Sequence, residues 1–558
     1  MTFSALTRIP RRGWAAAAGW APEQRDAVLY LASALFAGAT AVISSNSLYV
    51  TWGRFSVGPY LAGGVLSAMS ARRHSRERVA VDGAQAPFGH AGEDGSMPGA
   101  GPRPHWTPSR TLIFVVVLLG ATLLPLSIEI LQGSGGSARG HAQDEVTTVE
   151  QAGKRMLHGK ELYLNVDAKG PHRPVLPAGE PKYDAYFPYM PGMALFGLPS
   201  GTDAPPRLTD ARVAFSLITI IVVIVALAMC RGPSEPRVLA LQAMTVLPTA
   251  ALPLATGGDD LPVVAFMLLA LVLLERRRPG LAGLAVGAAA SLKFTAWPLI
   301  PPVVLFALAR RERLGRRAPL RALLGMAVVL VPSILPVALR DASGFLDNVV
   351  KFPLGLAGSS SPAASALPGH LFVTAFPWLR KEYAVVLVLV GLIVVGKALL
   401  RWPLRSADGI ARLLAWASAI AILLAPATRV GYALYPLDFA VWAWLLSEEA
   451  ATALRLEDSQ IDEPDLLELR FGDGYGMDRD GWSERGYWGS PTAKSLSSKL
   501  VRSVDPAGPR NLVGLTTTAK SQRLPSLAAR CPTTSYPGGA LDGPWVKRRH
   551  PSAGSSVL

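Results

Sequence analysis

The clearest structural signal in the chain is the apolar stretch Thr111-Leu-Ile-Phe-Val-Val-Val-Leu-Leu-Gly-Ala-Thr-Leu-Leu-Pro-Leu-Ser-Ile-Glu-Ile-Leu131, in which Glu129 is the only charged residue. A helix needs roughly 20 residues to cross the ~30 Å hydrocarbon core of a bilayer. Because no water satisfies the backbone there, such a run must be helical. Comparable runs recur from Ala27 to Leu446. The sequence therefore predicts an all-α, polytopic transmembrane bundle of about 10–12 membrane helices.

Composition supports a membrane protein and argues against other classes. Of 558 residues, 50% are hydrophobic and 17% are charged, which is too apolar for an ordinary soluble domain. The net charge is +15, but the arginines form short clusters such as Arg276 to Arg278 and Arg310 to Arg317, as in cytoplasmic loops. No aromatic-interleaved basic surface accompanies them, so nucleic acid is not an expected partner. Cys230 and Cys531 indicate neither a disulfide framework nor a metal site.

Alternating apolar and polar stretches divide the chain into four parts. Two apolar runs follow closely after the N-terminus, which favours a retained membrane hairpin over a cleaved signal peptide. A Gly/Pro-rich stretch predicts a flexible linker, and an acidic, then Ser/Gly/Pro-rich end predicts a disordered tail. The parts are the N-terminal membrane hairpin 1–78, the cytoplasmic linker 79–110, the transmembrane core 111–446 with its large loop 132–207, and the cytoplasmic tail 447–558.

The positive-inside rule gives the bundle an orientation in the cell membrane. Both termini and the arginine-rich loops are predicted to be cytoplasmic, and the long loop after the third helix faces outward. The same threading places a set of charged residues outside: Asp144, Asp184, Asp259, Asp260, Arg340, Asp341, Lys351 and Arg429.

The stretch from Leu281 to Ala309 predicts a broken hairpin. It is too long for one ordinary crossing and has arginines at both ends, so we expect it to enter and leave on the cytoplasmic side. Lys293 and Pro298 lie near its middle, where a break lets charge face a protein-lined or watery cavity. Lys293 is a candidate phosphate ligand, although such a lysine also snorkels to lipid headgroups. Reaching an external site from this hairpin requires a deep cavity.

The most informative polar segment runs from Gln143 to Tyr163 and opens on the acidic pair Asp144 and Glu145. Acidic residues in a first turn complement the helix dipole, so capping alone is one explanation. The other is that one carboxylate, held above the membrane, takes the proton from an acceptor hydroxyl as it attacks a sugar. An inverting transfer needs one such base, and a phosphate leaving group needs Arg or Lys nearby.

Several motifs follow the acidic pair in order: His158-Gly-Lys-Glu-Leu-Tyr163, Phe187-Pro-Tyr-Met-Pro191, Thr256-Gly-Gly-Asp-Asp260, Arg276-Arg-Arg-Pro-Gly-Leu-Ala-Gly283 and Ala288-Ala-Ala-Ser-Leu-Lys-Phe-Thr295. Their order and topology resemble the GT-C superfamily of membrane glycosyltransferases, specifically the bacterial family 87 group of polyprenyl-phosphate-dependent mannosyltransferases. The high usage of Ala, Gly, Arg and Pro is typical of an actinobacterial protein.

The resemblance implies an integral membrane glycosyltransferase of the cell envelope. It would move a hexose or pentose, mannose foremost, from a polyprenyl-phosphate donor to a lipid or glycan acceptor at the outer membrane face, with inversion. By position, Asp144 is the implied base and Glu145 its alternative. The resemblance implies no cofactor beyond the lipid-linked sugar donor, and it leaves a divalent metal open without supporting one. Two features depart from the family pattern: Asp144 lies well beyond the predicted end of its helix, and an extra hairpin precedes the core.

Arg429 is a further candidate ligand for the donor phosphate. It lies between the last two crossings, with Tyr432 and Tyr435 close by. A guanidinium there can clamp a phosphate bidentately, or it can anchor the helix at the interface.

Asp259, Asp260, Tyr186 and Tyr189 are candidate substrate-binding residues on the same side. The two acids either bind sugar hydroxyls or a divalent ion, or are merely solvated in a tight turn. The tyrosines, like Trp378, fit an aromatic interface belt or a sugar-stacking platform.

Two rival functions remain open. A multi-pass secondary transporter also breaks helices near its site, but it usually has ionisable residues at mid-membrane in several helices and two matched halves. A non-catalytic membrane protein whose tail recruits partners would leave the large external loop without a role.

Overall fold

The computed structural model describes residues 20–84, 107–133, 141–166, 182–359, 363–401, 404 and 406–471. These residues are largely helical and contain no β-strand. Seven of their helices are long and apolar enough to cross a membrane, and Pro279–Leu292 and Phe294–Ala309 are shorter apolar helices. The predicted all-α polytopic bundle is therefore confirmed.

The helices that build the bundle are numbered in chain order: α1 (Pro22–Ile43), α2 (Ser47–Ala84), α3 (Pro108–Val117), α4 (Leu124–Gly133), α5 (Asp144–Leu157), α6 (Ala211–Ala228), α7 (Ser234–Thr245), α8 (Pro248–Thr256), α9 (Asp260–Glu275), α10 (Pro279–Leu292), α11 (Ile300–Ala309), α12 (Ala318–Arg340), α13 (Ala342–Leu346), α14 (Pro368–Ala375), α15 (Arg380–Arg401), α16 (Ala407–Leu424) and α17 (Leu434–Phe471). A π-helical turn joins α3 to α4, so that the two form one span. Similarly, α7 and α8 together form one span.

Polar residues at the edges of the apolar runs set where helices begin. The Thr107 side chain accepts a hydrogen bond from the Arg110 backbone N–H at 3.3 Å, and Pro108 is the first residue of α3. Asp210 accepts one from the Arg212 N–H at 2.9 Å at the start of α6. Such caps satisfy backbone donors that a helix leaves unpaired at its N-terminus. These caps therefore define where α3 and α6 begin.

Helix α9 lies at the centre of the bundle. Nearly all its residues from Leu261 to Leu274 are buried, as expected of a helix that is apolar all round. Its first residue is Asp260, and the cluster Arg276 to Arg278 follows its last. We call the end of the bundle where α9 begins the site end, and the end where α9 stops the arginine end.

Helices α10 and α12 pack side by side in parallel. A Cβ on Gly283 would lie 2.1 Å from the Ala322 carbonyl oxygen, and one on Gly287 would lie 2.9 Å from that of Met326. Both contacts advance in the same direction along the two helices, so the chain between them must return across the bundle. This confirms the predicted hairpin.

The hairpin turns at Lys293, which adopts an extended backbone conformation between α10 and a 3₁₀ turn. The 14 residues of α10 cover about 21 Å at 1.5 Å per residue, which carries Lys293 from the arginine end to the site end. The deep cavity expected from the sequence is therefore not required.

The N-terminal hairpin, α1 and α2, is packed against the core through side chains that bond to backbone carbonyls. Trp52 Nε1 and Ser56 Oγ both donate to the Ala121 carbonyl, at 3.0 and 3.1 Å. Ala121 lies in the π-helical turn, whose irregular bonding makes its carbonyl accessible to these donors. The Tyr60 hydroxyl donates to the Val246 carbonyl at 2.5 Å. The hairpin is thus an integral part of the bundle.

A buried ionic network, which we call the Arg110 cluster, joins this hairpin to the core at the arginine end. Arg110 Nε bonds to Asp26 Oδ2 at 2.7 Å, and its Nη1 bonds to Glu235 Oε2 at 3.0 Å. Arg25 also pairs with Glu235, at 2.9 Å, and Gln242 Nε2 donates to Asp26 at 3.0 Å. These residues belong to α1, α3 and α7, so the cluster fixes three helices together.

Two helices extend beyond the boundaries expected from sequence. Helix α2 continues to Ala84, into the predicted linker 79–110, and α17 continues to Phe471, into the predicted tail 447–558. On α17, Glu449 accepts hydrogen bonds from the backbone of Arg231 and Gly232, which ties the helix to the bundle past residue 446. Residues 85–106 of the linker and 472–558 of the tail lie outside the described residues.

Candidate active site

Charged side chains from four segments meet at the site end. They come from the first turn of α5, the turn that precedes α9, the tip of the broken hairpin and the loop before α17. We call Glu145, Asp259, Asp260, Lys293 and Arg429 the site cluster. All five were candidates from sequence.

Lys293 lies between two carboxylates. Its Nζ is 3.0 Å from Asp259 Oδ1 and 2.8 Å from Asp260 Oδ1. The rings of Tyr189 and Tyr432 lie 5.3 and 5.7 Å from the same Nζ, within the range of cation–π attraction. The ammonium is therefore held inside the protein, and its side chain is only 12% exposed.

Asp260 is also fixed by a chain of hydroxyl groups. The Tyr435 hydroxyl donates to Asp260 Oδ1 at 2.6 Å, and the Thr295 hydroxyl lies 2.6 Å from that of Tyr435. With the hydrogen bond and the ion pair together, Asp260 has a defined orientation at the start of α9.

Asp259 differs from Asp260 because one of its oxygens is available. Oδ1 bonds to Lys293, whereas the buried Oδ2 has no hydrogen-bond partner among the described residues. Burial raises the pKa of Asp259 to about 7, although Lys293 opposes the rise, and Asp260 and Glu145 add to it. A buried carboxylate with such a pKa can exchange a proton near neutral pH.

The second ion pair of the cluster joins Glu145 to Arg429. A guanidinium Nη1 of Arg429 contacts Glu145 Oε1, and the two side chains are 30% and 15% exposed. Burial by itself lowers the pKa of Arg429, but Glu145 and three nearby tyrosines together more than offset this, so the pKa lies above its usual value. The backbone beside Arg429 is held too, because Thr428 N–H donates to the Ala363 carbonyl at 3.0 Å and Val430 N–H donates to Ser365 Oγ at 3.1 Å.

The N-cap residue Gln143 positions the start of helix α5 beside the site cluster. The Gln143 N–H donates to the Thr256 carbonyl at 3.0 Å, and its side-chain amide donates to Thr256 Oγ1 at 2.7 Å and to the Tyr49 hydroxyl at 3.2 Å. Gly257 completes the junction with φ +104°, and a Cβ there would lie 2.1 Å from Val146. Only glycine permits both this backbone conformation and this close approach.

Asp144 and Glu145 have different environments in the same turn. Asp144 is exposed, and its backbone carbonyl accepts hydrogen bonds from the hydroxyls of Thr147 and Thr148. Both acids lie in the first turn of α5, so each can complement the helix dipole. Of the two, the structure joins Glu145 to the site cluster through Arg429.

The two candidate tyrosines are separated. Tyr189 lies over Lys293 and is buried, and its carbonyl accepts a hydrogen bond from the Tyr163 hydroxyl at 2.7 Å. Tyr186 instead stacks on Phe352, with ring centroids 4.3 Å apart, in a separate small apolar cluster. Trp378 is 71% exposed.

Sequence reasoning missed a second polar group beside the site. Glu129, buried near the end of α4, contacts His141 Nδ1 at 3.1 Å, and Arg212 donates to the His141 carbonyl at 2.7 Å. These contacts hold the backbone just before Gln143. The sequence did offer a sign of this group, since Glu129 is the only charged residue in its apolar stretch.

A second residue that sequence reasoning missed is Asp438, which lies buried on α17 one turn beyond Tyr435. Neither of its carboxylate oxygens has a hydrogen-bond partner among the described residues.

Within the described ranges, no group of three or more His, Cys, Asp or Glu side chains is arranged to hold a metal ion. At the two adjacent aspartates of the site cluster, the positive charge is supplied by Lys293.

Comparison with known proteins gives a family match for the central part of the chain. The sequence model of glycosyltransferase family 87 matches residues 187–426. No curated protein and no solved structure matches the chain. The matched region contains Tyr189, Asp259, Asp260 and Lys293. Arg429 lies just beyond its C-terminal end, whereas Glu145 lies well before its first residue. Residues 187–426 thus match a glycosyltransferase family 87 domain, and this match together with the apolar spans supports a membrane glycosyltransferase.

Proposed function

We propose that this membrane glycosyltransferase transfers a sugar, mannose foremost, from a polyprenyl-phosphate donor to a hydroxyl of a lipid or glycan acceptor, with inversion at the anomeric carbon. The observation that carries the proposal is the site cluster itself, in which two partly buried cations lie beside three carboxylates at one end of a membrane bundle. The family 87 match supplies the reaction class.

A lipid phosphate suits this site for electrostatic reasons. As the glycosidic bond breaks, the leaving phosphate gains negative charge, which preorganised cations stabilise most strongly in a partly desolvated site. Arg429 offers a planar fork that matches phosphate oxygens bidentately. Lys293 adds a point charge nearby. Both lie near the ends of apolar helices, where we expect the headgroup of a membrane lipid.

One carboxylate suffices for the proposed chemistry. The acceptor oxygen attacks the anomeric carbon, the bond from that carbon to the phosphate oxygen breaks, and its electron pair leaves with the phosphate. The proton of the acceptor hydroxyl passes to the base. We assign the base to Glu145, because it faces the cluster, with Asp144 in the same turn as the alternative. Inversion follows, because a single displacement has no covalent sugar–enzyme intermediate.

Tyr189, Asp259 and Asp260 are assigned to the sugar. The free Oδ2 of Asp259 can accept a hydrogen bond from a sugar hydroxyl, which would also satisfy this buried oxygen. Aromatic and carboxylate side chains together are suited to the apolar face and the hydroxyl edge of a hexose. Tyr186 is left out of this assignment because it packs against Phe352.

The site is proposed to face the outside of the cell membrane. The arginine clusters 276–278 and 310–317 lie at the opposite end of the bundle, and such clusters stay cytoplasmic. A polyprenyl-linked donor, unlike a nucleotide sugar, is available at that outer surface as part of the membrane.

The test uses the purified full-length protein in liposomes with radiolabelled sugar donors. Mannose, glucose and arabinose on polyprenyl phosphate are compared with the corresponding nucleotide sugars, each with a mixed lipid acceptor fraction. We expect transfer from a polyprenyl-phosphate donor, greatest with mannose, and an inverted linkage in the product. Transfer from nucleotide sugars alone, or movement of solute across the bilayer without transfer, would refute the proposal.

A further inference from the structure

We propose that Arg429 couples donor binding to activation of the base: the donor phosphate takes the place of the Glu145 carboxylate on Arg429, and the released carboxylate then accepts the proton. This inference rests on the proposed function. It concerns the order of events within the site cluster, and it makes the Glu145–Arg429 contact a latch that the donor opens.

The two cations of the site cluster differ in how readily a phosphate can replace their carboxylate partners. Lys293 is held by two carboxylates whose side chains are 2% and 9% exposed, and by two aromatic rings. Arg429 makes its contact with Glu145, and both side chains are more exposed than the Lys293 pair. Because exchange of partners requires access, an incoming phosphate meets less resistance at Arg429.

The competing anions are also unequal at the guanidinium. Glu145 engages one guanidinium nitrogen, Nη1, whereas a phosphate can engage two donors of the planar fork at once. A phosphate of a lipid anchored in the same membrane has a high local concentration as well. Displacement of Glu145 by the donor is therefore favourable on both counts.

Glu145 can move without disturbing the fold. The start of α5 is fixed through Gln143 and Thr256, and its later part through close contact between Gly153 and Gly197. Neither of these contacts uses the Glu145 side chain. Rotation of that side chain therefore suffices to release its carboxylate from Arg429.

Release changes the chemistry of Glu145. In the contact with Arg429, Glu145 Oε1 is occupied by the guanidinium. Once the donor phosphate takes its place on Arg429, this oxygen is released and can accept the proton of an acceptor hydroxyl. The site consequently activates an acceptor hydroxyl only when a donor is in place, which disfavours unproductive proton transfer.

The test measures binding of polyprenyl monophosphate, without sugar, to the full chain in nanodiscs. Glu145→Gln replaces the competing anion with a neutral amide of the same shape. We expect it to bind polyprenyl monophosphate about tenfold more tightly than the wild type, which corresponds to ~1.4 kcal/mol. Asp144→Asn is the matched control, because it removes the same charge from the same turn, and we expect a smaller gain. Arg429→Gln should weaken binding.

The outcomes separate the latch from the proposed function. Equal or weaker binding by Glu145→Gln, or an equal gain in Asp144→Asn, would overturn the latch even if the wild type transfers sugar from polyprenyl phosphate. Failure of the wild type to bind polyprenyl monophosphate or use such donors would overturn both proposals. Glu145→Ala serves as a second variant, and the melting temperature of each variant checks that it is folded.

Discussion

Among the described residues, the Arg110 cluster and the site cluster lie at opposite ends of the same helices and differ in burial. At the arginine end, Arg110 makes hydrogen bonds to both Asp26 and Glu235, and its side chain is 2% exposed. At the site end, Arg429 is 30% exposed and contacts a single carboxylate oxygen of Glu145. The α7–α8 span connects the two ends, since Glu235 lies near its start and Thr256 at its end.

The difference shows how one type of interaction can serve two purposes. Removing one partner of a fully buried ion pair leaves an uncompensated charge, so the Arg110 cluster holds its helices in one arrangement. A partly exposed pair costs less to break and can exchange partners. We therefore assign the Arg110 cluster to assembly of the N-terminal hairpin with the core, and the site cluster to binding and chemistry.

The largest expected effect on stability is at the Arg110 cluster. Arg110→Met leaves Asp26 and Glu235 facing each other without their shared cation, so we expect a loss of about 3–5 kcal/mol in the free energy of unfolding. Thermal unfolding in nanodiscs measures it. Arg321→Met, at an exposed position, is the control and should change stability by about 0.5 kcal/mol or less. If Arg110→Met unfolds like the control, the cluster does not hold the hairpin to the core.

A slightly smaller effect, on activity, is expected at Lys293. Lys293→Met removes the cation between Asp259 and Asp260, and we expect the rate of sugar transfer to fall about 10²–10³-fold, as for loss of one preorganised charge-stabilising group. Initial rates with saturating donor, corrected for folded protein, measure it. Lys351→Met, whose side chain is 54% exposed, should leave the rate unchanged. A similar loss of rate in both variants would show that Lys293 has no specific role in sugar transfer.

The smallest effect is the pH dependence contributed by Asp259. Its pKa rises from an ordinary value near 3.8 to about 7 on folding, so between these values the folded state holds a proton that the unfolded state has released. Stability from this group is therefore lost as pH rises from about 4 to about 7. The melting temperature of the wild type minus that of Asp259→Asn should fall as the pH rises through this window, and it should level off above it. A difference independent of pH would show that Asp259 is ionised throughout.

Much of this architecture follows from local sequence. Apolar runs of sufficient length predict the spans, and the arginines at both ends of residues 281–309 predict the hairpin and its break. Lys293, Asp259, Asp260 and Arg429 could be selected as candidates because charges next to spans are few. Each of these inferences uses residues close together in the chain.

The pairing of these residues could not be predicted in the same way. Glu145 and Arg429 come from distant segments, and their contact depends on how α5 is rotated about its axis. Asp144 and Glu145 are neighbours whose directions differ by about 100° on a helix, so sequence alone left both open as the base. The role of the N-terminal hairpin was equally hidden, because it depends on the tertiary contacts of Arg110, Trp52 and Tyr60.

The central claim, that sugar transfer occurs at the site cluster with Glu145 as base, is tested most directly by one comparison. Transfer rates from polyprenyl-phosphate mannose are measured for the wild type, Glu145→Gln and Asp144→Asn under saturating donor. We predict that Glu145→Gln loses about 10²–10⁴-fold in rate, as for removal of a general base, while Asp144→Asn stays near the wild-type rate. An unchanged rate in Glu145→Gln, or a loss of rate in Asp144→Asn instead, would show that Glu145 is not the base.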